Sequence, residues 1–185
     1  MNDSELVDFL KSYEPIFSET DAWRKGLVQL EINYYLSDKI PPVDTIMSVR
    51  AMVFKGDEIL TIEEAENEFH ILPGGRREEG ESLEETVHRE VAEETGWTIR
   101  DLKLFGFVHL KHTSPKPKNF RHRYPHFVWL IYTARAADYR PEKMFSAEQL
   151  ADEYVISSKF ILARQASETL SERDQILIKA SENSK

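Results

Sequence analysis

The run of 23 residues from Gly75 to Trp97, GRREEGESLEETVHREVAEETGW, constrains this chain more than any other feature, because it ties a glycine turn to an amphipathic helix at fixed offsets. Ser82 followed three residues later by Glu85 is a capping-box pair, which satisfies backbone donors at a helix start. Gly96 closes the helix as a residue able to take the left-handed conformation. Between those ends, helical steps of about 100° put Leu83, Val87 and Val91 on one stripe, with Glu90 and Glu94 at its edge and Glu93 beside them. The stripe must lie on a core, so three carboxylates are carried to the margin of a buried face. Like charges that close raise one another's pKa values unless something positive sits among them. Hard divalent cations supply such charge, and an all-oxygen ligand set favours Mg²⁺ or Mn²⁺ over zinc. Glu84, Glu85 and His88 read instead as a solvated face, with Glu85 and Arg89 spaced for an ordinary i,i+4 surface pair.

Gly75, five residues, Glu81, seven residues, then Arg89-Glu90-Val91-Ala92-Glu93-Glu94-Thr95-Gly96-Trp97 resembles the Nudix box position for position. Seven fixed residue types and two bulky apolar positions recur by chance on the order of once in 10⁹ start points at typical residue usage. The resemblance implies that Glu93 and Glu94 are the principal metal ligands and that Glu90 is a further ligand or the base that orients the attacking water. It implies that Glu81 and Arg89 brace the loop against the helix, and that the Gly74 carbonyl joins the metal shell. The implied activity is hydrolysis of a phosphoanhydride bond in a nucleoside diphosphate derivative or nucleoside triphosphate. Metal ions lower the pKa of bound water and neutralise phosphate oxygens. With no cysteine and no Ser/His/Asp arrangement in recognisable context, direct attack by water is the economical route. A silent Nudix-fold nucleotide sensor is the rival reading, but such modules typically lose box glutamates. Isomerase chemistry on the same fold relies on a cysteine that this chain lacks.

The chain of 185 residues suits one domain with a sizeable core. Residues 4–13 and 21–36 read as helices, the second from Trp23, Leu27, Leu30 and Tyr34 at i, i+4, i+7 and i+11. Pro41-Pro42 ends this segment. Strands are expected over Thr45–Phe54 and Glu58–Ile62, joined by the Lys55-Gly56-Asp57 turn, and then over Phe69–Leu72, Leu102–His112, His126–Ala134 and Tyr154–Ile156. Helices are expected across Ser158–Ala180. The fold class is therefore α+β, and the resemblance implies an α/β/α sandwich with a mixed sheet between helices. The expected organisation is a helical N-terminal extension over residues 1–44, a Nudix domain over 45–165, and a C-terminal helix and tail over 166–185. The extension must bury its apolar faces, by packing on the domain or by contributing to a homodimer.

A net charge of −9 argues against broad nucleic-acid binding and for a small nucleotide substrate. The opening residues MNDSELVDF lack a signal-peptide pattern, and the longest strongly apolar stretch, Phe127 to Tyr132, is too short to span a bilayer. A soluble, cytoplasmic protein is expected. Against the acidic background, Lys111 to Arg123 holds five Lys or Arg, two His and no acid. Lys111, Arg121 and Arg123 are therefore candidates to meet substrate phosphates, beside the plain reading of a solvated loop. His109, His112, His122 and His126 flank that loop, but their spacing is looser than a zinc site requires. A further acidic ligand or base is expected before the last strand, with Glu148 the first choice and Glu153 the second. Phe69, Phe107, Phe127 and Trp129 are candidates to stack a base, though strand aromatics are more often core.

Overall fold

Alternation of two residues, not a helical stripe, organises the N-terminal segment. In the computed structural model, which describes residues 3–23, 28–64, 69–116, 118, 123–146, 149, 155–165 and 169–182, only Ser4–Leu10 of that segment is α-helical (α1). Phe17–Trp23 and Val28–Leu36 are strands β1 and β2, paired antiparallel from Phe17 opposite Tyr34 to Trp23 opposite Val28. The expected helix over 21–36 is thus corrected, since residues 21–23 and Val28–Leu36 are strand, and among the described residues of the N-terminal extension the α-helix is α1. The physical reason lies in Val28, Leu30, Ile32 and Tyr34, which are buried at every second position while Gln29, Glu31 and Asn33 face outward. Leu30 and Tyr34 satisfy both periods, and the β-branched and aromatic neighbours fit a pleated surface better than a helix.

Further strands and helices among the described residues are β3 (Ile46–Lys55), β4 (Glu58–Glu64), β5 (Phe69–His70), β6 (Gly74–Gly75), α2 (Leu83–Thr95), β7 (Trp97–His112), β8 (His126–Tyr139), β9 (Val155–Leu162) and α3 (Glu172–Glu182), with short 3-10 turns between some of them. The class is α+β, a mixed sheet with a few helices. None of the described helices is long and apolar enough to cross a membrane.

The chain divides into two units, Met1–Ser48 with Leu104–Leu130 and Val49–Lys103 with Ile131–Lys185. In the first, β2 joins β7 antiparallel from Leu30 opposite His112 to Leu36 opposite Gly106. Leu6, Leu30, Tyr34, Phe107 and Leu110 form its interior. Helix α1 and the turn after it are tied in by Phe9 and Tyr13, whose rings lie 5.5 and 5.4 Å from Phe107.

In the second unit, β3 and β4 make the expected hairpin, with Phe54 opposite Ile59 around Gly56. Strand β4 pairs with β5 through Ile62 and His70, and with β9 from Glu58 opposite Leu162 to Glu64 opposite Val155. Helices expected from Ser158 onward are corrected here. Ser158–Leu162 extends β9, because β4 offers it a full ladder, and α3 begins only at Glu172. Val49, Met52, Val53, Ile59, Leu60, Ile71, Val87 and Val91 are fully buried in this unit.

Candidate active site

Helix α2 begins and ends as its sequence dictates. The Ser82 hydroxyl accepts the Glu85 N–H at 3.1 Å, and the Glu85 carboxylate accepts the Ser82 N–H at 2.8 Å. At the other end Gly96 takes φ 74° and donates its N–H to the Ala92 carbonyl at 2.9 Å. Val87 and Val91 are buried, which fixes the rotation of the helix and so the direction of Glu90, Glu93 and Glu94.

Arg89 is the centre of the cluster. Its Nε donates to Glu81 Oε1 at 2.6 Å and its Nη2 to Glu81 Oε2 at 3.0 Å, a two-pronged pairing that suits the planar guanidinium. Nη1 donates to both Glu90 Oε1 at 3.0 Å and Glu93 Oε2 at 2.8 Å, and Nη2 also reaches the Arg76 carbonyl at 3.0 Å. Glu85 takes no part, since the helix cap uses its carboxylate; the surface pair expected between Glu85 and Arg89 is replaced by these contacts. The Arg89 guanidinium, with the Glu78 N–H and Thr86 hydroxyl, holds the Glu81 carboxyl down at about 2. The same contacts push the Arg89 pKa up, with Glu81 the largest cause. Glu81 and Arg89 therefore join the loop of residues 76–81 to α2.

Two glycines bring backbone close to this cluster. A Cβ on Gly75 would sit 2.5 Å from the Glu90 carboxyl carbon, so the loop could not approach Glu90 with a side chain there. Gly74 has φ 139°, and its N–H donates to Glu94 Oε2 at 2.9 Å. Strand β6 holds both glycines against β3, with Val49 opposite Gly75 and Arg50 opposite Gly74. The structure thus gathers Gly74, Gly75, Glu81, Arg89, Glu90, Glu93 and Glu94 in one place.

By donor type this set fits a hard divalent cation. Its side chains offer oxygen only, and Gly75 leaves the Glu90 carboxylate room that a Cβ would fill. Among the described residues, no three Asp, Glu, His or Cys side chains are drawn into a ready-made ion cage. The guanidinium of Arg89 stands between Glu81, Glu90 and Glu93 and offsets part of their charge.

Glu148, Glu153, Arg121 and His122 lie outside the described residues. Lys111 pairs with Glu31 at 3.2 Å on the surface. Arg123 is a different residue from the one the basic loop suggested. Its side chain is 6% exposed, and it donates to Asp3 at 2.9 Å, Asp44 at 2.9 Å and the His126 carbonyl at 3.0 Å. That arrangement fits an internal tie between α1, the turn before β3 and β8 better than a contact with phosphate. His109 Nε2 and His126 Nδ1 are 2.9 Å apart in stacked rings, and burial, then the His126 and Lys111 charges, push the His109 pKa down to about 4. Phe107 and Phe127 are core, while Trp129 stacks on Trp23 at 5.9 Å and Phe69 lies under Lys159 at 4.9 Å.

Sequence reasoning passed over Arg50, Glu64 and His70, which surround Leu72 just before the glycines. Arg50 Nη1 donates to the Leu72 carbonyl at 2.9 Å, the Leu72 N–H donates to His70 Nδ1 at 3.2 Å, and His70 Nε2 lies 3.0 Å from Glu64 Oε1. The closeness of His70 to the glycines was a usable signal; the register that brings Arg50 there was not.

A family model described as NUDIX domain matches residues 44–173. The Probable DHNTP pyrophosphohydrolase of Lactococcus lactis subsp. cremoris (strain MG1363) is 43% identical over 100 residues, which are 53% of this chain and 58% of that protein. This chain thus aligns with little more than half of that relative's length. The crystal structure of the Bacillus subtilis pyrophosphohydrolase BsRppH is similar at TM-score 0.58 and 21% identity, over 91% of this chain and 97% of that one. A NUDIX hydrolase from Nitrosomonas europaea is similar at TM-score 0.54 and 18% identity, over 75% and 88% of the two chains. At such identities the two structures speak to the fold.

Proposed function

We propose, from the premise that this chain belongs to the NUDIX domain family, that it is a divalent-metal-dependent pyrophosphohydrolase of nucleotides. The observation that carries this reading is the assembly of Glu81, Arg89, Glu90, Glu93 and Glu94 around Gly74 and Gly75. Glu93, Glu94 and the Gly74 carbonyl would hold the metal, and Glu90 would be a further ligand or the base for the attacking water. Glu148 would add a further acidic group. Mg²⁺, with Mn²⁺ as substitute, would supply charge neutralisation on the phosphate oxygens and a lowered pKa for water.

The chain's own residues then do three things. Arg89 draws Glu81, Glu90 and Glu93 together by pairing with all three carboxylates. Glu94 fixes the Gly74 peptide through its N–H. Helix α2 presents the glutamates on a rigid element, which suits a reaction governed by positioning and electrostatics. Water adds across one P–O–P bridge, the bond to the bridging oxygen breaks, and the leaving phosphate or pyrophosphate takes the bridging oxygen. The 43% identity to a probable DHNTP pyrophosphohydrolase makes DHNTP a substrate to try first, with the ordinary nucleoside triphosphates beside it.

The test is a panel of DHNTP, nucleoside triphosphates, nucleotide sugars, ADP-ribose and dinucleoside polyphosphates, each with and without Mg²⁺ or Mn²⁺. Metal-dependent release of phosphate or pyrophosphate, reduced at least about 100-fold by Glu94→Gln, is expected from the loss of a group that positions the reacting centre. Turnover that persists in Glu94→Gln or in chelator would refute the assignment.

A further inference from the structure

Pro73 has no N–H, so the short segment from Leu72 to Gly74 presents two amide donors, and both are engaged by side chains. The Leu72 N–H goes to His70 Nδ1 and the Gly74 N–H to Glu94 Oε2. Its first two carbonyls are also engaged, Leu72 O by Arg50 Nη1 and Pro73 O by the Ala51 N–H. Backbone groups that would otherwise turn with the chain are thus held from four directions.

We infer that His70 and Arg50 are positioning residues that grip the two polar atoms of Leu72 and thereby set the Gly74 peptide against Glu94. This inference rests on the proposed function for its catalytic meaning, because the Gly74 peptide matters to the reaction only if the glutamate cluster is the reacting centre.

The hydrogen bonding of His70 is self-consistent. To accept the Leu72 N–H, Nδ1 must carry no proton, and the neutral ring then carries its proton on Nε2, which points at Glu64 Oε1 3.0 Å away. Glu64 therefore selects the tautomer that can hold Leu72. The His70 contact beside it keeps the Glu64 carboxyl below its ordinary value, in keeping with an ionised acceptor. Arg50 reaches Leu72 from β3, where it lies opposite Gly74, and its charge is a further influence on Glu64. A Cβ on Gly74 would meet Val49 O at 2.2 Å and Arg50 Cα at 2.7 Å, so the Gly74 peptide has little room on the β3 side. A loosened Leu72 would let it shift off the β3 side and disturb its hydrogen bond to Glu94.

The experiment uses the full chain and four variants: His70→Ala, His70→Asn, His70→Gln and Arg50→Met. Asn can place an acceptor near the position of Nδ1, whereas Gln reaches toward Glu64 and offers Leu72 nothing. Amide hydrogen exchange at Leu72 and Gly74 is read by NMR, Mn²⁺ affinity by electron paramagnetic resonance, and kcat and KM on whichever panel substrate turns over. Loss of one hydrogen bond should speed exchange at both amides roughly 3- to 10-fold in His70→Ala, His70→Gln and Arg50→Met, with His70→Asn close to wild type. Mn²⁺ should bind at least about 10-fold more weakly in the same three, as when a residue supporting a metal ligand is lost, with kcat falling and KM unchanged.

A general loss of stability would not separate Asn from Gln, so that pair decides the matter even if His70→Ala does not fold. Unchanged exchange at Gly74 in folded His70→Gln and Arg50→Met would overturn the inference, as would Asn behaving like Gln. Wild-type protein that neither binds Mn²⁺ nor hydrolyses any panel member would defeat the functional reading, while the exchange results would still decide the grip on Leu72.

Discussion

Gly75→Ala adds one methyl group at the point where the loop meets the helix, and its cost can be worked from the distances. The new carbon would lie 2.5 Å from Glu90 Cδ, 2.5 Å from Oε2 and 2.6 Å from Oε1. Ordinary carbon contacts are about 3.5–4.0 Å, so the carboxylate must move by roughly 1 Å. Glu90 is 9% exposed and bonded to Arg89 Nη1 at 3.0 Å, and a shift of that size breaks the bond. The lost charged hydrogen bond costs about 1.5–3 kcal/mol, and crowding a packed site about 1–3 kcal/mol, of which the escape of Glu90 relieves part. About 3 kcal/mol is therefore expected, which corresponds to a fall in Tm of roughly 6–12 °C for a chain of this size. Gly75 does not lie at positive φ, so backbone strain adds little. The assay is urea unfolding of a double-mutant cycle with Glu90→Ala. Once the carboxylate is gone, the added methyl has no obstacle, and Gly75→Ala should cost less than about 1 kcal/mol, a coupling of 2 kcal/mol or so. Equal costs in both backgrounds, or a Gly75→Ala protein as stable as wild type, would refute the reasoning. Activity should fall about 100-fold in the single variant, since a misplacement near 1 Å has that order of effect.

Three other outcomes follow from particular contacts. His109 is held neutral by burial, with its folded pKa at about 4 against an ordinary 6.5, so the unfolded chain takes up the proton first. Its contribution is complete above pH 6.5 and is lost as pH falls through 4, roughly 3 kcal/mol in all; urea midpoints from pH 7 to 4 should decline, and His109→Gln should flatten the decline. Arg123→Ala takes the guanidinium from Asp3 and Asp44, which are themselves partly exposed, and should destabilise the fold by about 2 kcal/mol through the lost charged hydrogen bonds, with KM for substrate unchanged. A raised KM at unchanged stability would instead return Arg123 to the substrate. Ser82→Ala removes the acceptor for the Glu85 N–H and should cost about 1 kcal/mol in urea unfolding, while Ser82→Asp, which keeps an acceptor, should cost much less.

Local order made much of the fold legible. The capping box at Ser82 and Glu85, the Gly96 stop, the turn at Gly56 and the strands on either side of it all depend on residues within a few positions of one another. The same holds for the glutamates, because a helix with Val87 and Val91 buried has no freedom to point Glu90 or Glu93 elsewhere. The misreadings arose where local patterns were ambiguous or the partner was distant. Leu30 and Tyr34 fit a helical stripe as well as a strand, and pairing with β1 on one side and with β7, some 75 residues onward, on the other selects the strand. Ser158–Leu162 becomes strand for the same reason, by pairing with β4.

The sequence by itself determined the α2 cluster and the chemistry its residues can support, since fixed spacing on one helix sets which side chains share a face. The Glu81–Arg89 brace was already implied by the box, but only the tertiary structure showed Glu85 held in the helix cap and Arg89 shared with Glu90 and Glu93. It also turned Arg123 inward to Asp3 and Asp44, and it brought Arg50 from β3 to the Leu72 carbonyl. Leu72 lies 22 residues from Arg50, and Asp3 and Asp44 lie 120 and 79 residues from Arg123, so the contacts that join them are a property of the folded chain and not of local spacing.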